Sequence, residues 1–168
     1  MPKIIENLEA RLTEEAKKQI EENGYAAVTI RSVAKACGVG VGTVYNYFPS
    51  KDALLAAYML QDWKNCVTAI DAVSRYSDRP EMVARCMYDQ LCAFAANHAG
   101  VFRDEAAAAG FAGSYGRYHD MLRHQLAEPL RKFCESEFAA DFAAESLLVW
   151  TMSGKQFEEI WDILKKLF

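Results

Sequence analysis

Cysteine is sparse in this chain of 168 residues and forms no recognisable framework. Cys37, Cys66, Cys86, Cys92 and Cys134 make an odd set without a C-x-x-C pair. A disulfide scaffold is therefore not expected, and a reducing cytoplasm is the expected setting. Long apolar runs are missing too, and acidic residues interrupt the N-terminal segment where a signal peptide has its apolar core. We expect a soluble cytoplasmic protein without a membrane partner.

Residues suited to metal binding or nucleophilic catalysis are few and poorly spaced. His119 and His124 would lie about 140° apart around a helix, and the steps of six from Cys86 to Cys92 and from Cys92 to His98 scatter those side chains as well. No Ser, Cys or Lys stands in a recognisable nucleophile motif. We therefore expect no metal, no cofactor and no enzymatic activity. A cysteine-based redox sensor is the other interpretation of the thiols, although isolated cysteines are usually small core residues.

Acidic residues are absent from Gly24 to Lys51, although the chain carries a net charge of −4. This run of 28 residues contains three cationic side chains, Arg31, Lys35 and Lys51. Residues 56–168 hold 12 basic and 16 acidic side chains, so the acidity lies mainly in the C-terminal part. A weakly basic segment on an acidic protein suits a phosphate backbone, with marked salt dependence.

The same segment has the pattern of two short helices joined by a glycine turn. Thr29 is the expected N-cap of a first helix, Ile30 to Cys37, whose apolar residues recur every three or four positions. Cys37-Gly38-Val39-Gly40 then breaks the helix, because glycine tolerates the left-handed conformation of a tight turn. A second helix, Val41 to Tyr47, would bury Val44 and Phe48. Its outward residues would be Gly40, Val41, Gly42, Thr43, Asn46 and Tyr47.

An outward face of this kind fits the major groove of DNA. Asn46 is the best candidate for reading a base, since its amide can bond adenine in bidentate fashion. Val41 and the Thr43 methyl group can touch a thymine methyl group. The remaining predicted contacts position the protein on phosphates, and they are Thr29, Arg31, Tyr45, Tyr47 and Lys51.

The run GYAAVTIRSVAKACGV followed by GTVYNYFPSKDALL resembles the DNA-binding domain of the tetracycline-repressor (TetR) family. The resemblance implies an all-α fold. It places a three-helix helix-turn-helix DNA-binding domain at residues 1–51, joined by a long helix to a helical effector-binding and dimerisation domain at residues 52–168. It further implies a transcriptional regulator, expected to be a repressor, that binds a palindromic double-stranded DNA operator as a homodimer. An unknown small hydrophobic effector would release it.

Helical spacing continues through the rest of the chain. We predict a first helix from Lys3 to Asn23 and a long helix capped by Ser50. Another helix starts at Pro80, and one from Phe111 to Glu135 is expected to kink at Pro129. The last two helices are predicted at residues 138–153 and 155–168.

Large apolar residues crowd these last two helices, which favours a partner. In the TetR family the last two helices pair with their copies as a four-helix bundle. The predicted dimer interface comprises Phe138, Phe142, Leu148, Trp150, Phe157, Ile160, Trp161 and Leu164. The alternative is that these residues only close the chain's own core.

Aromatic residues and a few polar tips in the C-terminal part could line an apolar ligand pocket. The candidates are Trp63, Met87, Tyr88, Phe94, Phe102, Phe111, Tyr115, Tyr118, His119, Met121 and Trp150. Each taken alone is more often a core residue.

The sequence has three other interpretations. The glycines of residues 38–42 could cradle a nucleotide phosphate, but such loops follow a strand and here a helix pattern precedes. The segment could also be an ordinary helical hairpin. The closest alternative is a DNA-binding dimer with a protein partner, a redox input or no effector.

Overall fold

The computed structural model describes residues 7–104 and 115–168, and the side chains of residues 115–118 lie outside that description. Within these ranges the chain is helical and contains no strand, so the predicted all-α fold is confirmed. Three 3₁₀ turns, Tyr25–Ala27, Glu128–Phe133 and Lys165–Leu167, accompany the helices. The helices are α1 Leu8–Asn23, α2 Ile30–Ala36, α3 Val41–Tyr45, α4 Lys51–Tyr76, α5 Pro80–Asn97, α6 Ala99–Phe102, α7 Tyr115–Ala127, α8 Glu137–Met152 and α9 Phe157–Leu164.

The described residues form two compact units. The first contains residues 7–61 and 98–104. Its core is built on α1, which buries Leu12, Ala16 and Ile20 at helical spacing. Val101 of α6 belongs to the same core. A Cβ added at Gly100 would meet Ile20 Cγ2 at 3.3 Å, which shows how closely α6 approaches α1.

The second unit contains residues 62–97 and 115–168. Helix α8 is central to it, because α5 and α7 both pack against α8. Its buried face is mostly small, with Ala140, Ala143 and Ala144 fully enclosed, and small side chains allow helices to approach closely. The core side chains around it include Met87, Leu91, Leu126, Leu130, Leu147, Phe157 and Leu164.

Most helix ends follow local sequence rules. Gly24 adopts φ +81° and its N–H bonds Ile20 O at 2.8 Å, which confirms the predicted end of α1. Ser50 Oγ accepts from Ala53 N at 3.1 Å, which confirms the predicted cap of α4. The domain boundary predicted between residues 51 and 52 falls within α4. The division into a DNA-binding domain and an effector-binding domain stays a prediction.

Three predicted helices differ from the structure. The first begins at Leu8, after Asn7 at φ +57°, and not at the predicted Lys3. The helix expected to continue to Glu135 ends at Ala127, and a 3₁₀ turn carries Pro129, because proline has no N–H to donate to the preceding turn. Its predicted start, Phe111, lies outside the described residues. The last helix begins at Phe157 rather than Lys155, because Gln156 has an extended backbone and is the N-cap.

Candidate nucleic-acid interface

Helices α2 and α3 form a helix-turn-helix within the first unit. Thr29 Oγ1 accepts from Ser32 N at 2.9 Å, so the predicted N-cap is confirmed. Gly38 has φ +69° in the turn, and Val39 N donates to Ala34 O at 3.0 Å. The left-handed glycine lets the chain reverse within three residues. The turn thereby fixes α3 against α2.

The face of α3 that could meet DNA is fixed by what the helix buries. Val44 and Phe48 are buried, as predicted from their spacing. Thr43 is half-buried, and the other predicted contact residues of this segment are exposed: Gly40, Val41, Gly42, Tyr45, Asn46 and Tyr47. The α-helix ends at Tyr45, so Asn46 is its C-cap and lies one turn from the N-terminal end where base contacts usually begin.

Lys51, Arg31 and Thr29 are the predicted phosphate contacts outside α3. Thr29 and Arg31 are exposed at the start of α2. Lys51 is half-buried. Its ammonium group donates to Tyr25 O at 2.5 Å, and burial lowers the pKa of Lys51.

One hydrogen-bond network of this region was not anticipated. Ser32 Oγ accepts from Thr29 N at 3.0 Å and donates to Gln19 Oε1 at 2.6 Å. Gln19 Nε2 donates to Glu15 Oε1 at 2.7 Å. The Thr29-x-x-Ser32 spacing could have indicated the local part of this network, since a side chain at the third helical position often caps the N-cap N–H. Nothing in the sequence pointed to the partners on α1.

Two of the predicted pocket residues, Trp63 and Phe94, are in contact within the second unit. Trp63, Met87 and Phe94 are buried in the second unit, where the Trp63 and Phe94 rings meet edge to face at 5.5 Å. Trp63 Nε1 donates to Gln125 Oε1 at 2.6 Å. Met121 is half-buried.

Two further pocket candidates contact polar groups of the second unit. Tyr88 donates to Lys155 O at 3.1 Å, and His119 Nε2 lies 3.3 Å from Glu145 Oε1. Phe102 belongs to the first unit and is 45% exposed. Phe111 and the side chains of Tyr115 and Tyr118 lie outside the described residues.

The predicted interface residues divide into buried and exposed sets. Leu148, Phe157, Ile160 and Leu164 are buried within the second unit, and Trp161 is half-buried and stacked on Phe157. Trp150, shared by the pocket and interface predictions, is exposed. The exposed apolar side chains of α8 and α9 are Phe138, Phe142, Val149, Trp150, Met152 and Ile163. Val149, Met152 and Ile163 were not among the predicted interface residues.

An open groove of about 440 Å³ runs between α8 and α9. Its apolar walls come from Phe142, Trp150, Ile160 and Ile163, and Ser146 is the small residue between the two aromatic side chains of α8. Lys155 and Glu159 stand at the groove and pair with each other at 3.3 Å. Exposed apolar walls of this kind fit a protein partner.

Metal and thiol chemistry has little support in the described part of the chain. No cluster of His, Cys, Asp or Glu there could hold a metal ion. All five cysteines are free. Burial raises the pKa of the thiols of Cys37, Cys66, Cys86 and Cys134. Among the helices described, none is long and apolar enough to cross a membrane.

Comparison with known proteins adds an independent observation. Residues 12–58 match the family model for bacterial regulatory proteins of the tetR family. The HTH-type transcriptional regulator UidR of Escherichia coli (strain K12) is 36% identical over 52 residues, which are 31% of this chain and 26% of UidR. This match therefore spans about a quarter of that relative. The nucleoid occlusion factor SlmA of Glaesserella parasuis is 26% identical over 178 residues, covering 88% of this chain and 85% of SlmA.

Solved structures show the same fold. FadR of Thermus thermophilus, a TetR family transcriptional repressor solved in complex with lauroyl-CoA, aligns with a TM-score of 0.63 at 21% identity. The alignment covers 95% of this chain and 92% of that one.

Proposed function

Through residues 12–58 this chain belongs to the tetR family of bacterial regulatory proteins, and we propose that it is a homodimeric repressor released from a palindromic operator by a small hydrophobic effector. The observation that carries the DNA-binding part is the exposed face of α3. Val44 and Phe48 are buried on the opposite side and fix the orientation of that face. No acidic residue occurs from Gly24 to Lys51. A surface of this kind can approach phosphates without like-charge repulsion.

Dimerisation is proposed because a single α3 is short. Its five residues offer few base contacts, so one copy would bind DNA weakly. Two copies held in one complex bind two half-sites together, which raises the overall affinity. The groove between α8 and α9 supplies a surface for the second copy. Its walls hold Phe142 at 47% and Ile163 at 65% exposure, which is unfavourable unless a partner covers them.

The effector is proposed to be apolar and to bind in the second unit. That unit contains aromatic side chains such as Trp63 and Phe94, with the Gln125 amide among them. The related fold of Thermus thermophilus FadR holds lauroyl-CoA, and this likeness supports a hydrophobic effector as a class. Coupling of about 1–3 kcal/mol between effector and operator would change operator affinity by about five- to 150-fold.

A redox input is the less favoured alternative. The buried thiols have raised pKa values, and a protonated thiol reacts slowly with oxidants because the thiolate is the nucleophile. A protein partner or the absence of any effector would leave the DNA-binding proposal intact.

Selection of bound fragments from sheared genomic DNA tests the operator proposal. We expect the recovered fragments to share an inverted repeat and to bind the protein dimer, as judged by fluorescence anisotropy and light scattering. The proposal fails if the purified protein stays monomeric at micromolar concentration or binds no duplex in dilute buffer. Thermal-shift screening with acyl-CoAs, fatty acids and hydrophobic amines tests the effector proposal, since a true effector should raise Tm and weaken operator binding together.

A further inference from the structure

Three side chains and one backbone N–H link α1 to the start of α2 in one directional hydrogen-bond chain. Thr29 N–H donates to Ser32 Oγ, Ser32 Oγ–H donates to Gln19 Oε1, and Gln19 Nε2–H donates to Glu15 Oε1. The donor–acceptor distances are 3.0, 2.6 and 2.7 Å. Each donor points toward the carboxylate, so successive bonds polarise one another.

The carboxylate at the end fixes the direction of the chain. Ionised Glu15 can only accept, so the Gln19 amide must turn its NH₂ toward Glu15 and its oxygen toward Ser32. The one hydroxyl proton of Ser32 has two acceptors within reach, Gln19 Oε1 at 2.6 Å and Thr29 O at 2.9 Å, and the shorter contact is the one to Gln19. The Ser32 oxygen accepts from Thr29 N–H. Glu15 and Gln19 are both half-buried, which limits competition from water.

This arrangement also determines what Thr29 can do. Thr29 Oγ1 accepts from Ser32 N–H at 2.9 Å, and no acceptor for the Thr29 hydroxyl proton occurs among the hydrogen bonds of the described residues. Thr29 is exposed, and its hydroxyl keeps its one proton to donate while Oγ1 accepts from Ser32 N–H. A phosphate oxygen is the acceptor that DNA offers in greatest number.

We propose that Gln19 is a positioning residue for DNA binding, which acts through Ser32 to present the Thr29 hydroxyl as a hydrogen-bond donor to a backbone phosphate. This inference rests on the proposed function. It assigns a role to a residue of α1 that would itself make no contact with DNA. Since threonine is neutral, this contact releases no counterion and adds nothing to the salt dependence of binding.

The test is a double-mutant cycle on operator affinity. Gln19→Leu keeps the size and helix propensity of the side chain but removes both hydrogen bonds. We expect it to weaken binding by about three- to tenfold, equally for operator and unrelated duplexes and with an unchanged salt slope. In a Thr29→Val background, the same Gln19→Leu change should have no further effect, whereas Thr29→Ser should leave its effect in place.

Two controls keep the outcomes separate. Thermal denaturation of every variant shows whether a substitution lowers the stability of the protein. Asn23→Leu is the matched control, because it also replaces an uncharged amide with leucine, at an exposed position of α1. Equal losses from Gln19→Leu with and without the Thr29 hydroxyl would overturn the positioning role, as would unchanged affinity. Failure of the unmodified protein to bind any duplex would instead overturn the proposed function.

Discussion

The Lys51 ammonium group lies 3.7 Å from the centroid of the Tyr25 ring and donates to the Tyr25 backbone oxygen. Tyr25 is buried, and its hydroxyl donates to Asp52 Oδ1 at 2.6 Å, so the ring itself is held in place. Lys51 therefore occupies a defined position rather than sampling many rotamers. An ammonium group has three N–H donors, which leaves donor capacity for a phosphate.

Replacing Lys51 with Ala tests that contact. We expect the slope of log affinity against log salt concentration to become shallower by about one unit per half-site, because one phosphate contact with its released counterion is lost. Binding should weaken by a similar factor for all duplexes. Lys166→Ala, at an exposed position of the second unit, is the charge-matched control. An unchanged slope in Lys51→Ala would remove Lys51 from the interface.

Replacing Asn46 with Ala should act on sequence preference instead. Loss of a bidentate contact to adenine costs about 1–3 kcal/mol at the base pair that it reads. Affinity for the selected operator should fall by the corresponding factor while affinity for unrelated duplexes stays the same. The measurement is competition between operator variants substituted one base pair at a time. A loss of affinity that is equal for all operator variants would indicate that Asn46 contacts the phosphate backbone of DNA and reads no base.

Gly42 and Gly38 provide a matched pair of substitutions in the helix-turn-helix. A Cβ added at either position would meet no atom within 4 Å, but only Gly38 has a positive φ. Gly42→Ala should therefore raise the free energy of unfolding by up to about 1 kcal/mol through helix propensity. Gly38→Ala should lower it by about 1–2 kcal/mol, because an L residue is strained in the left-handed region. Urea denaturation measures both, and changes of the same sign would contradict the prediction.

The groove between α8 and α9 predicts a sharp effect on oligomeric state. Ile163→Glu places a charge on an exposed apolar wall without disturbing the core, because Ile163 is 65% exposed. We expect a monomer in analytical ultracentrifugation and a large loss of operator affinity at unchanged helical content. Tyr76→Glu is the matched control, since Tyr76 is 92% exposed and lies on α4 outside the groove. A dimeric Ile163→Glu protein would argue for another interface.

The Arg85–Glu158 ion pair predicts a pH-dependent difference in stability. Its N–O distance is 2.6 Å, and the hydrogen bond from Arg85 holds the pKa of Glu158 below its ordinary value of 4.5. A lowered folded-state pKa stabilises the protein above pH 4.5, and this stabilisation is lost as the pH falls through the folded-state pKa. Glu158→Gln should therefore lower Tm modestly at pH 7, and the difference from the unmodified protein should shrink below pH 4.5. In an Arg85→Ala background, Glu158→Gln should change Tm little at either pH.

The helix-turn-helix could be predicted residue by residue because its determinants are local. Thr29 caps α2, Val44 and Phe48 face inward, and Gly38 supplies the turn, all within one stretch of sequence. The Gln19–Ser32 bond could not be predicted, because these residues are 13 positions apart and meet only after α1 packs on α2. Local pattern rules do not specify such pairings.

The apolar side chains of α9 show a second limit of prediction from the sequence. Phe157, Ile160, Ile163 and Leu164 are all large and apolar, yet Ile163 is exposed and the other three are buried. Sequence alone identified an apolar helix but could not tell which side the chain's own core would occupy, because that choice depends on how α5 and α8 pack against it.

Val101 belongs to the core of the first unit, so this unit is not formed by one continuous stretch of polypeptide. Residues 62–97 intervene before the chain returns to the hydrophobic interior around Ile20, where a Cβ added at Gly100 would lie 3.3 Å from Ile20 Cγ2. A fragment cut at the end of the helix-turn-helix would carry a hole in its interior where Val101 belongs. A fusion that transfers the helix-turn-helix to another protein would therefore have to include the residues of α6.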